Sequence, residues 1–353
     1  MIEKKSHVKP KFKAVDFFCS AGGVTCGFQQ AGIDVLGGID IDETCKETYE
    51  QNNNAQFLHA DISELSKKEV GKFFGIRRNQ RDLIFVGCSP CQYYSNIKTD
   101  KSRSQNSRLL LEDFQEFVEY YRPGYVFIEN VPGLDKNPES PLGKFKAFLK
   151  ENDYVFEEDV LNAKYFGVPQ NRRRYVLLAT RIGRSIELPQ PDKKNVITVR
   201  KAIGDESRFP PIGAGHQDNS PFKHSAASLS KKNLQRILNT DSNGGDRRSW
   251  PKELQLECYK SHKGHYDVYG RMYWDKPSPA ITTRFISYSN GRYGHPEQNR
   301  AISLREGAVL QSFPIGYDFY STNQGTIAKM IGNAVPPELA KRIGLSIKRG
   351  VNG

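Results

Sequence analysis

Apolar residues in the first 180 positions fall into short continuous runs, separated by longer stretches in which they recur every three or four places. The runs "AVDFF" (14–18), "DVLGGID" (34–40), "FLHADI" (57–62), "DLIFVG" (82–87), "YVFIENV" (125–131) and "RYVLLAT" (174–180) predict strands. The stretches 23–31, 42–52, 63–74, 107–121 and 142–151 predict helices. Strands that alternate with helix-length segments imply an α/β fold: a doubly wound, parallel sheet with helices on both faces. Ligands of such sheets sit beyond the carboxyl ends of the strands.

After about residue 185 the periodicity is lost to Gly, Pro, Ser, Asn and basic residues, as in "GAGHQDNSPFKHS", "NTDSNGGDRRSWP" and "ISYSNGRYGHPEQNR". This change of texture predicts a smaller, irregular, β-rich domain over 185–299. Helical periodicity returns in "SLREGAVLQSFP" and "GTIAKMIGNAVPPELAKRIGLSI", so 300–353 is expected to pack back onto the domain formed by 1–184.

Lys and Arg total 52 against 40 Asp and Glu, a net charge of +12. The excess favours a polyanionic partner, nucleic acid before an acidic membrane, although charge also serves solubility alone. No apolar stretch approaches the roughly 20 residues that cross a bilayer, and no basic amphipathic helix suggests attachment to one. Five of the six cysteines, 19, 26, 45, 88 and 91, lie in the first third, with the sixth at 258, and "MIEKKSHVKPKFK" has no apolar signal core. Reduced thiols in a cytosol are therefore expected.

"DFFCSAGGVTCGFQQAG" puts Ser20, Ala21, Gly22 and Gly23 between a strand and a helix, where a ligand can approach the backbone and the helix N-terminus. The loop lacks G-x-G-x-x-G spacing, which disfavours a pyrophosphate. Asp40 ends the second strand, where a carboxylate can accept from ribose hydroxyls, and Asp61 ends the third, placed for an adenine amino group. Either alone is as readily a cap or turn residue. Three successive strand ends together point to a nucleoside cofactor without a pyrophosphate, and S-adenosylmethionine fits.

Cys91 in "GCSPCQYYS" lies just past the fourth strand. It could form half of a Cys-X-X-Cys zinc or redox site with Cys88, be a buried thiol, or be a nucleophile. "CYKSHKGH" (258–265) is the one stretch that offers further metal ligands, and the context does not resemble a thioredoxin-like unit. Glu129 favours the nucleophile. It ends the fifth strand beside the fourth, and a partly desolvated carboxyl there can hold a proton while a thiol attacks an electron-poor ring. "PQNRRRYVLLA" then brings Gln170, Arg172 and Arg174 to the start of a further strand, with donors suited to a base carbonyl and to phosphates.

Taken in order, these stretches resemble the motifs of the DNA (cytosine-5-)-methyltransferases of the prokaryotic modification type. "DFFCSAGG" resembles the family's cofactor loop, "SPCQYYS" its Pro-Cys-Gln loop, "ENVPG" its Glu-Asn-Val motif and "QNRRR" its Gln-x-Arg-x-Arg motif. "RAISLREGAVLQSFP" and "IGNAVPP" resemble its last two. The resemblance implies a Rossmann-like methyltransferase sheet with a target-recognition domain. It implies Phe18 packing on adenine, Asp40 on ribose, Asp61 on the adenine edge, and Ile41, Ile62, Pro90, Asn333 and Val335 completing an S-adenosylmethionine pocket. It further implies Cys91 as nucleophile, Glu129 as acid, and Arg172 and Arg174 as the pair orienting the base. Ser20, Cys88 with Ser89, Ile41 and Val309 depart from common family residues, but no reacting group is lost.

The implied partner is double-stranded DNA, bound by a cytoplasmic monomer in a prokaryotic cell, with a restriction endonuclease as functional counterpart. Gln92, Ser95 and Arg108, in the polar loop 92–108, and Gln170 are expected to touch DNA, with Arg271, Arg284 and Arg292 reading bases or phosphates. Other readings are a tRNA cytosine-5 methyltransferase, disfavoured by the long 185–299 region, a catalytically inert DNA-binding homologue, and a nicotinamide oxidoreductase, opposed by the missing phosphate fingerprint. If 185–299 selects the target, a chimera carrying another family member's region there should methylate that relative's sequence. Bisulfite sequencing that finds the original target in an active chimera would place selection elsewhere.

Overall fold

In the computed structural model, which describes residues 12–90, 109–137, 140–260 and 264–350, every apolar run forms the strand it predicts. The strands are β1 (Lys13–Phe17), β2 (Asp34–Asp40), β3 (Gln56–His59), β4 (Leu83–Gly87), β5 (Tyr125–Asn130), β6 (Val155–Asn162), β7 (Gln170–Asn171), β8 (Arg173–Thr180) and β9 (Ser278–Pro279). The helices of the first part are α1 (Gly23–Gln30), α2 (Lys46–Asn52), α3 (Lys67–Phe74), α4 (Leu110–Tyr121), α5 (Gly133–Lys136) and α6 (Leu142–Glu151). They are followed by α7 (Val199–Ile203), α8 (Lys231–Leu238), α9 (Glu257–Lys260), α10 (Leu304–Leu310), α11 (Gln324–Asn333) and α12 (Pro337–Arg349).

Seven strands form one sheet in the order β3-β2-β1-β4-β5-β8-β6. The chain winds outward from β1 through β2 to β3, then returns to pair β4 on the other side of β1. The switch point between β1 and β4 opens a crevice at their carboxyl ends. β3, β2, β1, β4 and β5 are mutually parallel. β8 instead runs antiparallel to both β5 and β6, which corrects the all-parallel expectation. Only residues 163–172 separate β6 from β8, too few for a parallel crossover, so the pair folds back as a hairpin. β6 itself was invisible to hydrophobic patterning because "VFEEDVLN" lies largely exposed at the sheet edge.

Alternation along the strands builds two apolar layers. Val15, Phe17, Phe85, Val126, Ile128 and Leu177 face α3, α4 and α6 through Val70, Phe114, Phe117 and Phe145. Ala14, Ile84, Val86, Phe127, Val176 and Leu178 face α1 and α12 through Val24, Phe28, Leu339, Ile343 and Ile347. The second face is therefore closed by the far end of the chain. A Cβ on Gly27 would stand 2.2 Å from Pro337 O and one on Gly344 2.9 Å from Ala31 Cβ, so α1 and α12 meet backbone to backbone.

Residues 185–299 are irregular, as expected, but not β-rich among the described residues. Their regular structure is α7, α8, α9, short 3₁₀ turns and β9, which pairs in parallel with β7. Loops without ladders leave backbone carbonyls to be satisfied by other donors, and here buried arginines supply them. Arg271 donates to the carbonyls of Thr240, Ile237, His295 and Gln298 and to Asn299 Oδ1, at 2.5–3.1 Å. Arg292 donates to the carbonyls of Gly244, Gly245 and Arg271 and pairs with Asp267 at 2.7 Å. The expectation that Arg271 and Arg292 reach DNA is corrected, since both are buried and their donors are held inside. Arg284 is exposed, and its guanidinium has no partner among the described residues.

The strip joining this region to α10 is anchored by a fully buried ion pair. Arg300 grips Glu306 through two 2.7 Å hydrogen bonds, and Glu306 also forms a capping box with Ser303 at the start of α10. Burial alone would push the Glu306 carboxyl up, but the charge and hydrogen bonds of Arg300 hold it at about 2.

Arg271→Met keeps the aliphatic stem and strands three buried acceptors, the carbonyls of Thr240, Ile237 and His295, and two part-buried ones. Urea unfolding should show a loss of about 3 kcal/mol, whereas a surface DNA contact would change stability by less than about 0.5 kcal/mol.

Candidate active site

The crevice at the switch point is a cavity of about 610 Å³, walled by the ends of β1, β2, β3, β4 and β5, the start of β8 and the α11–α12 turn. Its floor is the turn after β1, where Phe18, Ser20 and Gly22 adopt φ of 64°, 46° and 83°. Left-handed backbone is costly for Phe and Ser, and it folds the loop tightly beneath α1. The loop is tied to β2 by Asp40, whose carboxylate accepts from Ser20 N at 2.8 Å and Asp42 N at 2.9 Å. Burial pushes the Asp40 carboxyl up, against those two hydrogen bonds.

Phe18, Ser20, Gly23, Asp40, Ile41, Asp61, Ile62, Pro90, Asn333 and Val335, all named from the sequence, line the cavity together. Ile41 is 63% exposed, an apolar side chain held bare at the rim. Asp61 also caps its own turn, accepting from Ser63 N at 2.9 Å, so the cap and the lining role coexist. Ala21 and Gly22 do not line it, which corrects their assignment to cofactor contact. Ala21 is fully buried and its carbonyl accepts from the Tyr317 hydroxyl. A Cβ on Gly22 would meet Asn53 at 2.6 Å and Tyr317 at 2.8 Å, so this glycine faces the core.

Glu129, at the end of β5, is 7% exposed and lines the same cavity. Arg174 Nε lies 3.0 Å from its Oε1 but out of line for a hydrogen bond, so that oxygen has no hydrogen-bond partner among the described residues. Burial pushes the Glu129 carboxyl up, and the charges of Arg174 and Arg172 draw it partly back. The neighbouring Asn130 donates to Ser89 O at 3.2 Å, tying the turn after β5 to the segment ending at Pro90. Cys91, Gln92, Ser95 and Arg108 lie outside the described residues. Burial and the charge of Glu129 push the Cys88 thiol far up, so it is held protonated.

The two members of the Arg172 and Arg174 pair are held differently. Arg174 faces Glu129, whereas Arg172 donates to Ile281 O at 2.9 Å and to Gly332 O and Ala334 O at 3.3 Å, leaving only Nε without a partner among the described residues. Burial lowers the Arg172 pKa to about 9. Gln170 is fully buried, donates to Leu310 O and Gln311 Oε1, and accepts from Ile281 N at 2.9 Å. Its assignment as a DNA contact is therefore corrected.

A sequence model of the C-5 cytosine-specific DNA methylase family matches residues 12–349. The chain belongs to this family. It is 40% identical over 346 residues to the type II methylase M.HgiDII of Herpetosiphon aurantiacus, covering 96% of each chain. It is 32% identical to the type II methyltransferase M1.HphI of Haemophilus parahaemolyticus, over 93% of this chain and 84% of that one. Solved structures share the fold at low identity. A prophage-encoded protein of E. coli described as a DNA modification methyltransferase aligns with a TM-score of 0.75 at 20% identity, covering 97% of this chain and all of that one. The Entamoeba histolytica methyltransferase EhMeth aligns at 0.66 and 14%, over 97% and 99%. The chain is thus a cytosine-C5 methylase with a Rossmann-like α/β sheet, and none of its described helices is long and apolar enough to cross a membrane.

Lys329 and Asp16 are among the residues of the methylase's cavity that sequence reasoning missed. Lys329, on α11, pairs with Asp42 at 2.6 Å and links α11 to the end of β2. Asp16, on β1, is 1% exposed, accepts from Thr25 Oγ1 at 2.9 Å and has no partner for Oδ1 among the described residues. An acidic residue inside the apolar run "AVDFF" was the available signal. Burial pushes the Asp16 carboxyl up to about 7. The folded chain then keeps this proton to about pH 7, the unfolded chain only to about pH 4. Within that window the folded state binds more protons, so the residue's contribution to stability falls as pH rises. Asp16→Asn should flatten stability against pH between 4 and 7 and gain most above pH 7. Parallel profiles for the two proteins in thermal unfolding would contradict the buried, protonated Asp16.

Proposed function

We propose that this methylase transfers a methyl group from S-adenosylmethionine to carbon 5 of a flipped-out cytosine in a specific double-stranded DNA sequence, through a covalent adduct with Cys91. The observation that carries the reading is Glu129, a buried carboxyl in the cavity wall whose Oε1 is paired with Arg174 but accepts no hydrogen bond of good geometry among the described residues, fixed by Asn130 to the segment that leads to Cys91.

The cavity's donor set suits the cofactor. Asp40 keeps acceptor capacity for ribose hydroxyls beyond its two backbone hydrogen bonds, and Phe18 and exposed Ile41 offer apolar faces for a base. Asp16 presents a buried oxygen without a partner among the described residues, and the glycine loop lacks the G-x-G-x-x-G spacing of a pyrophosphate cradle. When bound, S-adenosylmethionine supplies an electrophilic methyl group.

The protein's own residues make carbon 5 able to accept it. Carbon 5 of intact cytosine is a poor nucleophile, so the ring must first be activated. The Cys91 thiolate adds at carbon 6 while the raised-pKa Glu129 delivers a proton to ring nitrogen 3, which leaves electron density at carbon 5. After methylation, solvent takes the carbon 5 proton, the Cys91 sulfur is expelled, and ring nitrogen 3 returns its proton to Glu129, which restores the aromatic ring and the acid. Arg174 holds Glu129 in place and keeps its pKa from rising further. Because a stacked base shields both ring faces, the nucleotide must leave the helix at a cost of a few kcal/mol, offset by phosphate contacts from a chain of charge +12.

The type II naming of the relatives supports a role as the modification partner of a restriction endonuclease in a prokaryotic cytoplasm, and the reading takes the protein to act as a monomer. Duplex DNA carrying 5-fluorocytosine in the target should trap a covalent complex with the unmodified protein, and Cys91→Ser should abolish it while still binding cofactor. Glu129→Gln should slow turnover by at least about 100-fold with cofactor affinity nearly unchanged. Labelled methyl groups appearing in tRNA instead of duplex DNA would overturn the reading.

A further inference from the structure

Arg248 is an exposed arginine whose guanidinium is nevertheless held in one orientation. Its Nε donates to Asp246 Oδ1 at 2.8 Å and its Nη2 to Asp246 Oδ2 at 2.7 Å, a two-pronged pair. The carboxylate in that pair is itself fixed. The Asp246 side chain is only 3% exposed, it caps the 3₁₀ turn Arg247–Ser249 by accepting from Arg248 N at 3.1 Å, and Arg292 Nη2 lies 3.6 Å from its Oδ2. Arg200 makes a similar fork on Asp275, but that carboxylate is largely exposed, so both partners of the pair lie in solvent. The Arg248 guanidinium also lies 4.7 Å from the centre of the Tyr266 ring, which takes Arg247 at 4.9 Å. Arg247 is buried and donates to the carbonyls of Gly264 and His265 at 2.6 Å, which anchors the segment that carries the ring. Forked and stacked in this way, Arg248 has lost the rotamer freedom of a surface arginine before any partner arrives.

The side chain remains 68% exposed, and its Nη1 has no partner among the described residues. The edge formed by Nη1 and the second Nη2 hydrogen therefore presents two parallel donors. Two acceptors side by side are offered by guanine, through O6 and N7, and by a phosphate. Charge separates these partners. A guanidinium paired with a carboxylate at 2.7 Å belongs to a unit without net charge, and the carboxylate repels a second anion, so the attraction that draws phosphates is cancelled. Guanine's neutral acceptors meet no such repulsion. Adenine and cytosine place an amino donor toward the same edge, and thymine offers a single acceptor. The fork is also fixed relative to the cavity. Arg292, held by the carbonyls of Gly244, Gly245 and Arg271, precedes Tyr293, whose hydroxyl donates to Ala280 O at 2.8 Å. The next residue, Ile281, is gripped by Gln170 and by Arg172 of the cavity wall.

We infer that Arg248, braced by Asp246, is a specificity-determining residue that reads a guanine of the target sequence through its O6 and N7 in the major groove. Asp246 acts through Arg248 and is a positioning residue. The inference rests on the DNA reading above and adds to it one residue and the base that it selects.

The test is methylation of a random-sequence duplex library by the full-length protein, read by bisulfite sequencing, together with binding and kinetics on the site so found. The unmodified protein should require guanine at a position that Arg248→Ala leaves open, while every other position keeps its preference. On the original site Arg248→Ala should lower kcat/KM by about 10- to 100-fold, with S-adenosylmethionine affinity and the slope of log affinity against log salt unchanged. Arg248→Lys keeps the charge without the fork and should not restore the requirement for guanine. Asp246→Asn keeps the shape but removes the neutralising charge. It should weaken the same requirement and steepen the salt slope by about 1, which loss of a merely structural aspartate would not do. An Arg248→Ala protein that keeps all its base preferences overturns the inference. If it is also weaker on all sequences alike, with a salt slope lower by about 1, Arg248 is a phosphate contact instead. Should Asp246→Asn not fold, the Arg248 variants decide alone. Absence of methyl transfer to any duplex by the unmodified protein would refute the DNA reading itself, and this inference with it.

Discussion

The packing of the last helix on the first is the contact that the rest of the methylase depends on. α12 can lie on α1 only because Gly27 and Gly344 carry no side chains, the nearest opposing atom to a Gly27 Cβ being a backbone oxygen at 2.2 Å. That approach closes the second face of the sheet with Leu339, Ile343 and Ile347. It also brings the α11–α12 turn over the strand ends, where a Cβ on Gly23 would stand 2.4 Å from Val335 O. Asn333 and Val335 therefore meet Phe18 and Asp40 in one cavity although they lie at opposite ends of the chain.

Within that cavity the energetics turn on carboxyl groups removed from water. An isolated buried carboxylate costs several kcal/mol unless it is paired or holds a proton, and the cavity's acids meet this cost in different ways. Asp40 is met by two backbone N–H groups, Glu129 by an arginine at 3.0 Å whose alignment is imperfect, and Asp16 by one threonine hydroxyl. Burial raises all three, most visibly Asp16. In contrast, Glu306, equally buried, is fully paired with Arg300 and is held low, as fits a group that only fastens α10. Of these four acids, the three that line the cavity are the incompletely satisfied ones.

Arginine shows the same division of labour. A region without ladders still has carbonyls to satisfy, and one guanidinium with five donors can serve several of them at once. Arg271, Arg292 and Arg305 do this, and each holds together loops distant in sequence. Their positive charge contributes to the basic composition without being available to a phosphate. Charge counted along the sequence therefore overstates the surface offered to DNA, whereas an exposed side chain such as Arg284 is offered in full.

The sequence by itself determined the six apolar strands, the strand-end positions of Asp40, Asp61 and Glu129 and, through the order of its motifs, the family. Each of these is local: a continuous apolar run must be buried on both faces, and the residue ending such a strand must emerge at the sheet's carboxyl edge. Only the tertiary structure decided the antiparallel β6–β8 hairpin, since the exposed edge strand "VFEEDVLN" has no apolar run to announce it. It alone turned Ala21 and Gly22 away from the cavity and Asp16 into it, because residues of one short loop or strand separate according to which neighbours press on them. It alone also separated Arg271, Arg292 and Gln170 from Arg284. Whether a polar side chain faces solvent or backbone depends on carbonyls contributed by loops tens to hundreds of residues away, and no local pattern carries that information.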